Sequence, residues 1–263
     1  METTIYYFTS TGNSLETARL IGQKLGNTTI VSIPSIVNSE EIVCTTERIG
    51  FVFPVYMFGL PLIVKRFVEK LRTANKNAYI FATATCGGNL GIALSQIQTI
   101  LQKNGLDLTA GFMVKMPGNY TPLYSGPEHK TLVKLIAAAG NKTNQIANQI
   151  IKQEKVMAKG SALFRILGRL MHKNIAKEIP IMSKKFTVRN TCKSCGICER
   201  VCPTKNIHLQ NGKPNWLQRC EHCLACLQWC PNNAIQWGNK TAGRRRYHHP
   251  AINIRDIEQA AKL

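Results

Sequence analysis

Residues 192–203 read C-K-S-C-G-I-C-E-R-V-C-P, and residues 220–231 read C-E-H-C-L-A-C-L-Q-W-C-P. The second run opens eighteen positions after Cys202, and both repeat one spacing, C-x₂-C-x₂-C-x₃-C-P. Eight of the ten cysteines fall in this stretch, so its chemistry governs the last quarter of the chain. Three thiolates on one tight loop reach three irons of a single cubane. The fourth rides the following helical turn and points away, and the proline after it redirects the backbone. A structural zinc site uses paired C-x₂-C knuckles, in which a third cysteine at the same interval followed by Cys-Pro has no role. Disulfides belong to oxidising compartments, and the opening METTIYYF lacks a basic-then-apolar leader. The run therefore predicts two [4Fe–4S] clusters. Gly196 and Ala225 suit that reading, because small residues let backbone N–H groups approach the inorganic sulfurs.

The run resembles that of the bacterial two-cluster ferredoxins, and the resemblance implies crossed ligation. One cluster would take Cys192, Cys195, Cys198 and Cys230, and the other Cys220, Cys223, Cys226 and Cys202.

With 263 residues the chain suffices for a medium domain plus a small one, and the crowding of cysteines near its end favours that division. No apolar run approaches the roughly 18 residues of a membrane span. The nearest, 49–64, is broken by two prolines and two glycines. The expectation is a soluble protein of the reducing cytoplasm. Basic residues outnumber acidic ones by 34 to 14, with net charges of +5 over 1–154, +8 over 155–191 and +7 over 192–263. Four thiolates around each [4Fe–4S]²⁺ core would offset part of this excess. A surface still basic attracts acidic protein partners, anionic lipid or nucleic acid.

Nearer the start, Ile5–Phe8 is a short β-rich run. Thr9, Ser10, Thr11, Gly12, Asn13 and Ser14 follow it, and then Leu15, Ala18, Ile21 and Leu25 recur near helical spacing. Strand, hydroxyl-rich turn and helix start together make a phosphate site, since N–H groups at a helix N-terminus face the anion. The loop has neither the Gly-Lys-Ser/Thr of a Walker A motif nor G-x-G-x-x-G, so a terminal phosphate is expected rather than a dinucleotide. Taken alone, the same loop could simply cap a helix. Further β-rich runs at 29–33, 48–53, 77–84 and 106–115 alternate with helical patterns at 61–72 and 90–104. That alternation predicts an α/β doubly wound parallel sheet, and five strands suit the order 2-1-3-4-5. Ligands of such sheets lie beyond the carboxyl ends of the strands, near the switch point. The loops placed there are 9–14, 54–60, 85–90 and 116–124.

The phosphate loop T-S-T-G-N-S resembles the flavodoxin T/S-x-T-G-x-S/T fingerprint. With P-V-Y-M-F-G-L-P, T-C-G-G-N-L-G, M-P-G-N-Y and the twin cysteine runs in order, almost the whole chain resembles the EFR1-family flavodoxin–ferredoxin fusions. The resemblance implies bound FMN beside the two clusters. Tyr56 or Phe58 would stack on the isoalloxazine, Gly59 would let the loop turn toward N5, and Pro54, Val55 and Met57 complete that loop. Thr85, Cys86, Gly87, Gly88 and Asn89 would offer groups at the pyrimidine edge, with Asn119 and Tyr120 on the remaining side. Core packing competes for each aromatic taken singly, and Cys86 and Cys44 are read as packed thiols.

Leu132, Leu135, Ile136, Ala139, Thr143, Ile146 and Ile150 mark one face of a helix that closes the sheet. The expected division is 1–154 for the flavodoxin-like FMN-binding domain and 155–185 for a basic amphipathic helical linker. A small α+β two-cluster ferredoxin domain would occupy 186–240, and a basic tail 241–263. In the linker, the stripe of Leu163, Phe164, Ile166, Leu167, Leu170 and Met171 is expected to pack one domain on the other. Lys159, Arg165, Arg169, Lys173 and Lys177 would be solvated; docking on a membrane surface, a partner or a second copy is the alternative. Arg244, Arg245 and Arg246 read as a solvated turn rather than a nucleic-acid site, and His208 and His222 as structural.

The functional reading is electron transfer between FMN and the clusters, and onward to redox protein partners with acidic docking surfaces. No His, Asp or Glu constellation points to separate substrate chemistry, so no catalytic residue is assigned. Two rivals are a flavin reductase of a small quinone or disulfide and a module that uses its clusters as redox sensors.

Overall fold

The computed structural model describes residues 1–262; the side chains of Met171 and Lys173, both counted in the linker's expected pattern, lie outside the described residues, as does Leu263. The N-terminal elements are β1 (Thr3–Tyr7), α1 (Asn13–Leu25), β2 (Thr28–Ser32), β3 (Ile42–Cys44), β4 (Arg48–Pro54) and α2 (Leu62–Lys70). They continue with β5 (Leu71–Thr73), β6 (Tyr79–Cys86), α3 (Ala93–Lys103), β7 (Ala110–Lys115) and α4 (His129–Ile151). The main sheet runs β2-β1-β4-β6-β7 with every pair parallel, which is the flavodoxin-like 2-1-3-4-5 order among its own five members. β3 and β5 form a separate parallel pair of three residues each, absent from the sequence reading.

Parallel strands covered on both faces must be apolar throughout, and β4 and β6 are buried along nearly their whole lengths. One face packs Phe51, Phe53 and Ile80 on Ile63, Phe67, Ile97 and Leu101 of α2 and α3. The other packs Ile5, Val52 and Phe112 on Leu15, Ile21, Ile146 and Ile150 of α1 and α4. Each large apolar side chain so buried contributes about 1.5–3 kcal/mol. The strand order reverses between β1 and β4, so the loops after them diverge and leave a crevice at their carboxyl ends.

Beyond α4 come α5 (Ala162–Glu178), a 3₁₀ segment (Ile179–Lys185), β8 (Phe186–Val188), α6 (Ile197–Arg200), β9 (Ile207–Gln210) and β10 (Lys213–Trp216). The chain continues through α7 (Ala225–Gln228), β11 (Ile235–Trp237) and α8 (Ile254–Ala260). β8 pairs antiparallel with β11 and β9 with β10, around a small core of Phe186, Ile207, Leu224, Leu227 and Ile235.

Two expectations need correction. The linker stripe does not pack as one face. Phe164 and Leu167 are half-buried, whereas Leu163, Ile166 and Leu170 are exposed, because the inward row of α5 is Phe164, Gly168, His172 and Ile175. The helix lies on the loops of the main sheet: a Cβ on Gly168 would stand 3.1 Å from Ile92 and 3.3 Å from the Phe58 carbonyl. Nor is 244–246 a simple solvated turn. Arg244 donates to the Thr121 carbonyl at 2.6 Å, Arg245 to the Gly126 carbonyl at 3.1 Å and Arg246 to the Ile235 carbonyl at 3.1 Å. The residues after it return to the main sheet, where Asp256 of α8 meets Arg19 of α1 at 2.7 Å and Ser32 donates to the Ala260 carbonyl at 2.5 Å. Among the described residues no helix is long and apolar enough to cross a membrane.

Candidate functional site

A cavity of about 730 Å³ lies at the carboxyl ends of the strands. Of the residues expected around the flavin, all but Gly12 and Gly59 line it. At one end, the loop between β1 and α1 buries the hydroxyls of Thr9, Ser10, Thr11 and Ser14 beside the first turn of a thirteen-residue helix. The loop holds its own shape: the Gly12 N–H donates to Thr9 Oγ1 at 3.1 Å, and Ser14 Oγ and Thr85 Oγ1 are 2.8 Å apart. Gly12 has φ 97°, a left-handed conformation, and a Cβ there would stand 2.8 Å from Ile252. Both facts require glycine. The donor set fits a phosphate, because hydroxyls and helix N-terminal amides gather where no lining carboxylate competes; Glu221, the lining carboxylate, belongs to the cysteine-bearing part of the wall.

The rim is a tight turn. Tyr56 and Gly59 exchange backbone hydrogen bonds at 3.0 and 2.8 Å, and between them Met57 and Phe58 take φ of 46° and 63°. Two non-glycine residues in that region store strain, so outside contacts must hold them. The Ile92 N–H donates to the Phe58 carbonyl at 2.8 Å, His172 Nδ1 lies 3.1 Å from the Met57 carbonyl, and the Phe58 and Phe164 rings are 5.4 Å apart. Gly59 is needed for close approach, since a Cβ would collide with the His172 ring. Tyr56 donates to Ser10 Oγ at 3.1 Å, and Asn119 Nδ2 donates to Thr11 Oγ1 at 2.9 Å, tying three loops together. Burial pushes the Cys86 thiol up, as expected of a packed cysteine.

The eight cysteines of the twin runs surround two hollows. One is lined by Cys192, Cys195, Cys198 and Cys230, the other by Cys202, Cys220, Cys223 and Cys226. Among the described residues no three His, Cys, Asp or Glu side chains converge as they would on a single ion. Instead each set of thiols rings a space, which fits a cubane whose irons are spread over its corners. The backbone is duplicated as closely as the sequence. Positive φ recurs at Ser194 and His222, at Gly196 and Leu224, and at Lys205 and Asn233. The N–H of Asn206 reaches Cys202 Sγ at 3.2 Å, and that of Ala234 reaches Cys230 Sγ at the same distance. Burial pushes the free thiols up, to about 11 for Cys198 and about 12 for Cys220, against the opposing pull of the Glu199 and His222 N–H groups. Iron binding must therefore displace their protons.

Glu221, His222, Cys223 and Leu224 also line the large cavity, and Glu221, Cys223 and Leu224 line the second hollow as well. Those residues are a shared wall. No periodicity in the sequence marks them as cavity residues, since they reach it from the other end of the chain. His222, read as structural, stands at this wall with Nε2 3.2 Å from the Tyr120 hydroxyl. Buried Glu221 is met by Arg66 at 3.1 Å; burial raises its pKa to about 7, against the opposing pull of Arg66. Trp229 donates to the Ser10 carbonyl at 2.8 Å, and Gln228 to both the Asn119 carbonyl and Thr121 Oγ1 at 2.6 Å. Tyr247 donates to Asn13 Oδ1 at 2.6 Å, and the His249 N–H to the Thr11 carbonyl at 2.8 Å.

His249 gives this bracing an acid limit. Burial lowers its pKa from 6.5 to about 4. Because the folded value is the lower one, the unfolded chain takes up a proton that the folded chain refuses. Stability is therefore intact near pH 7 and lost progressively as pH falls through 6.5 toward 4. Hydrogen exchange of residues 246–261, corrected for its intrinsic pH dependence, is expected to quicken over that interval in the wild type. His249→Gln should flatten the response, and equal pH profiles for the two proteins would refute the assignment.

A family model described as a flavodoxin domain matches residues 4–153, and one described as a 4Fe-4S dicluster domain matches residues 184–242. An uncharacterized polyferredoxin-like protein of Methanocaldococcus jannaschii is 36% identical over 61 residues, 23% of this chain and 27% of that protein. The match thus spans about a quarter of that relative's length. A solved flavodoxin from the domain Archaea is similar over 57% of this chain and 99% of its own, at 15% identity and TM-score 0.36. A putative flavoprotein from Bacteroides uniformis is similar over 52% and 97%, at 16% identity and TM-score 0.35. An FMN-dependent NADH-azoreductase from Bacillus anthracis, in complex with FMN, is similar over 57% and 99%, at 8% identity and TM-score 0.38.

Proposed function

The chain belongs to the flavodoxin domain family and continues into a 4Fe-4S dicluster domain, and from that premise we propose that it moves electrons internally between FMN and two [4Fe–4S] clusters, and from them to protein partners. FMN accepts one or two electrons whereas each cluster passes one, so the combination joins paired to single-electron traffic. Residues 1–154 would hold the flavin, 155–185 form the linker, 186–240 carry the clusters and 241–263 return as a brace.

The assigned roles follow the linings of the three spaces. Thr9–Ser14 hold the phosphate, and the loops 54–59 and 85–89, with Asn119 and Tyr120, surround the ring system. Cys192, Cys195, Cys198 and Cys230 ligate one cluster, and Cys220, Cys223, Cys226 and Cys202 the other. The observation that carries the proposal is the shared wall: Cys223 and Leu224 line both the flavin cavity and the second hollow. A ligand cysteine at the cavity wall shortens the step between the two sites, and Leu224 beside it, 3% exposed, keeps water out of the gap. The basic excess supports partners with acidic docking surfaces.

Rapid mixing tests the circuit. With a donor that reduces only the clusters, flavin reduction is expected to be first order, with a rate independent of protein concentration. A rate that rises linearly with protein concentration would mean that electrons pass between molecules, and the internal circuit would fall.

A further inference from the structure

Helix α5 turns an apolar line to solvent. Leu163, Ile166 and Leu170 are 61, 55 and 69% exposed. At 3.6 residues per turn they fall on one strip, opposite the inward row of Phe164, Gly168, His172 and Ile175. Exposed Arg165 and Arg169 run along one flank, exposed Lys159 precedes the helix and exposed Lys177 lies in its last turn. From 155 to 178 the one acidic residue is Glu178, the last of the helix. A line of large exposed aliphatic side chains, with cations along one flank and at both ends and a single carboxylate, Glu178, at the last residue of the helix, is the pattern of a helix lying in a bilayer interface.

We propose that α5 docks the protein on an anionic lipid surface, its axis parallel to the membrane plane. Leu163, Ile166 and Leu170 enter the boundary between headgroups and acyl chains. Lys159, Arg165, Arg169 and Lys177 meet the phosphates. The charge pattern disfavours a second copy as the occupant, because symmetric pairing of this face would bring basic flank to basic flank, and Glu178 at the end of the helix is the one acid there to offset it. The attachment is peripheral, since no described helix can span a bilayer. It would also set the flavin cavity close to the lipid, as Phe164 of α5 and Leu123, 70% exposed, line that cavity together.

Sedimentation of the purified holoprotein with vesicles tests this. Binding to phosphatidylcholine vesicles containing about 30% phosphatidylglycerol is expected to exceed binding to phosphatidylcholine alone by about tenfold or more, and to weaken as salt is added. A basic protein could show that much by net charge alone, so the decisive comparison is between two variants of equal charge. Ile166→Glu should lower binding to the anionic vesicles about tenfold or more, with flavin and iron contents unchanged. Val133→Glu, at a position 54% exposed on α4, should bind nearly as the wild type does. Equal losses in the two variants would reduce the effect to net charge and overturn the proposal. So would wild-type protein that ignores anionic vesicles, or an Ile166→Glu change that converts a dimer to a monomer in light scattering without altering vesicle binding.

Discussion

Replacing Cys230 with serine is expected to remove the cluster held by Cys192, Cys195 and Cys198, while the three remaining cysteines of residue 230's own run keep theirs. The reason is spatial: Cys230 lines the hollow of the first run, and Cys202 lines that of the second. About half of the iron and sulfide should be lost, the flavin should be retained, and Mössbauer or EPR spectra should keep the signature of one cluster. Cys202→Ser should give the converse. The two variants should also differ in flavin kinetics. Cys202 belongs to the hollow that shares Cys223 and Leu224 with the flavin cavity, so Cys202→Ser should abolish flavin reduction through the clusters. A donor that reaches the remaining cluster of Cys230→Ser directly should still reduce its flavin. Damage confined to the run that carries each mutation would disprove crossed ligation.

Thr11→Asp is expected to empty the flavin site. Thr11 is 1% exposed, its hydroxyl accepts from Asn119 and its carbonyl from the His249 N–H, so the new carboxylate has no route out of the cradle. At about 4 Å and an effective dielectric near 20, each pair of unit charges repels by about 4 kcal/mol, and a flavin phosphate carries nearly two. Affinity should fall by about a thousandfold or more, read as flavin content after gel filtration and by fluorescence titration. Thr11→Ser should retain the cofactor, and both variants should keep their iron. Full flavin in Thr11→Asp, or a released flavin that runs as FAD on chromatography, would show the phosphate site to be wrongly placed.

Local chemistry made much of this legible beforehand. A parallel strand writes its burial into a continuous apolar run, so Arg48–Pro54 and Tyr79–Cys86 could be read directly, and the loops after them followed from the topology. Contacts that depend on a distant partner could not be read. The periodicity of 163–171 predicts a helix with an apolar side, but the Met57–Phe58 turn decides which of those side chains is covered. Three arginines in a row read as solvated because nothing near them in sequence is acidic. Their acceptors include the carbonyls of Thr121, Gly126 and Ile235, groups that every residue carries and that no pattern advertises, and the carboxylate that Arg245 meets, Glu128 at 3.7 Å, lies 117 positions away. Three-residue strands such as Ile42–Cys44 are too short to show a period.

The return of residues 247–260 to the loop at 9–14 has a consequence for biogenesis. Ile252 stands against Gly12, His249 on the Thr11 carbonyl and Tyr247 on Asn13, so the loop is braced by residues made some 240 positions later. At synthesis rates of about 5–20 residues per second, a nascent chain carries an unbraced loop for tens of seconds while the sheet behind it can already fold. Firm capture of the flavin therefore waits until Ile252 has left the ribosome, and a message broken before that point is expected to yield a sheet that holds its cofactor poorly.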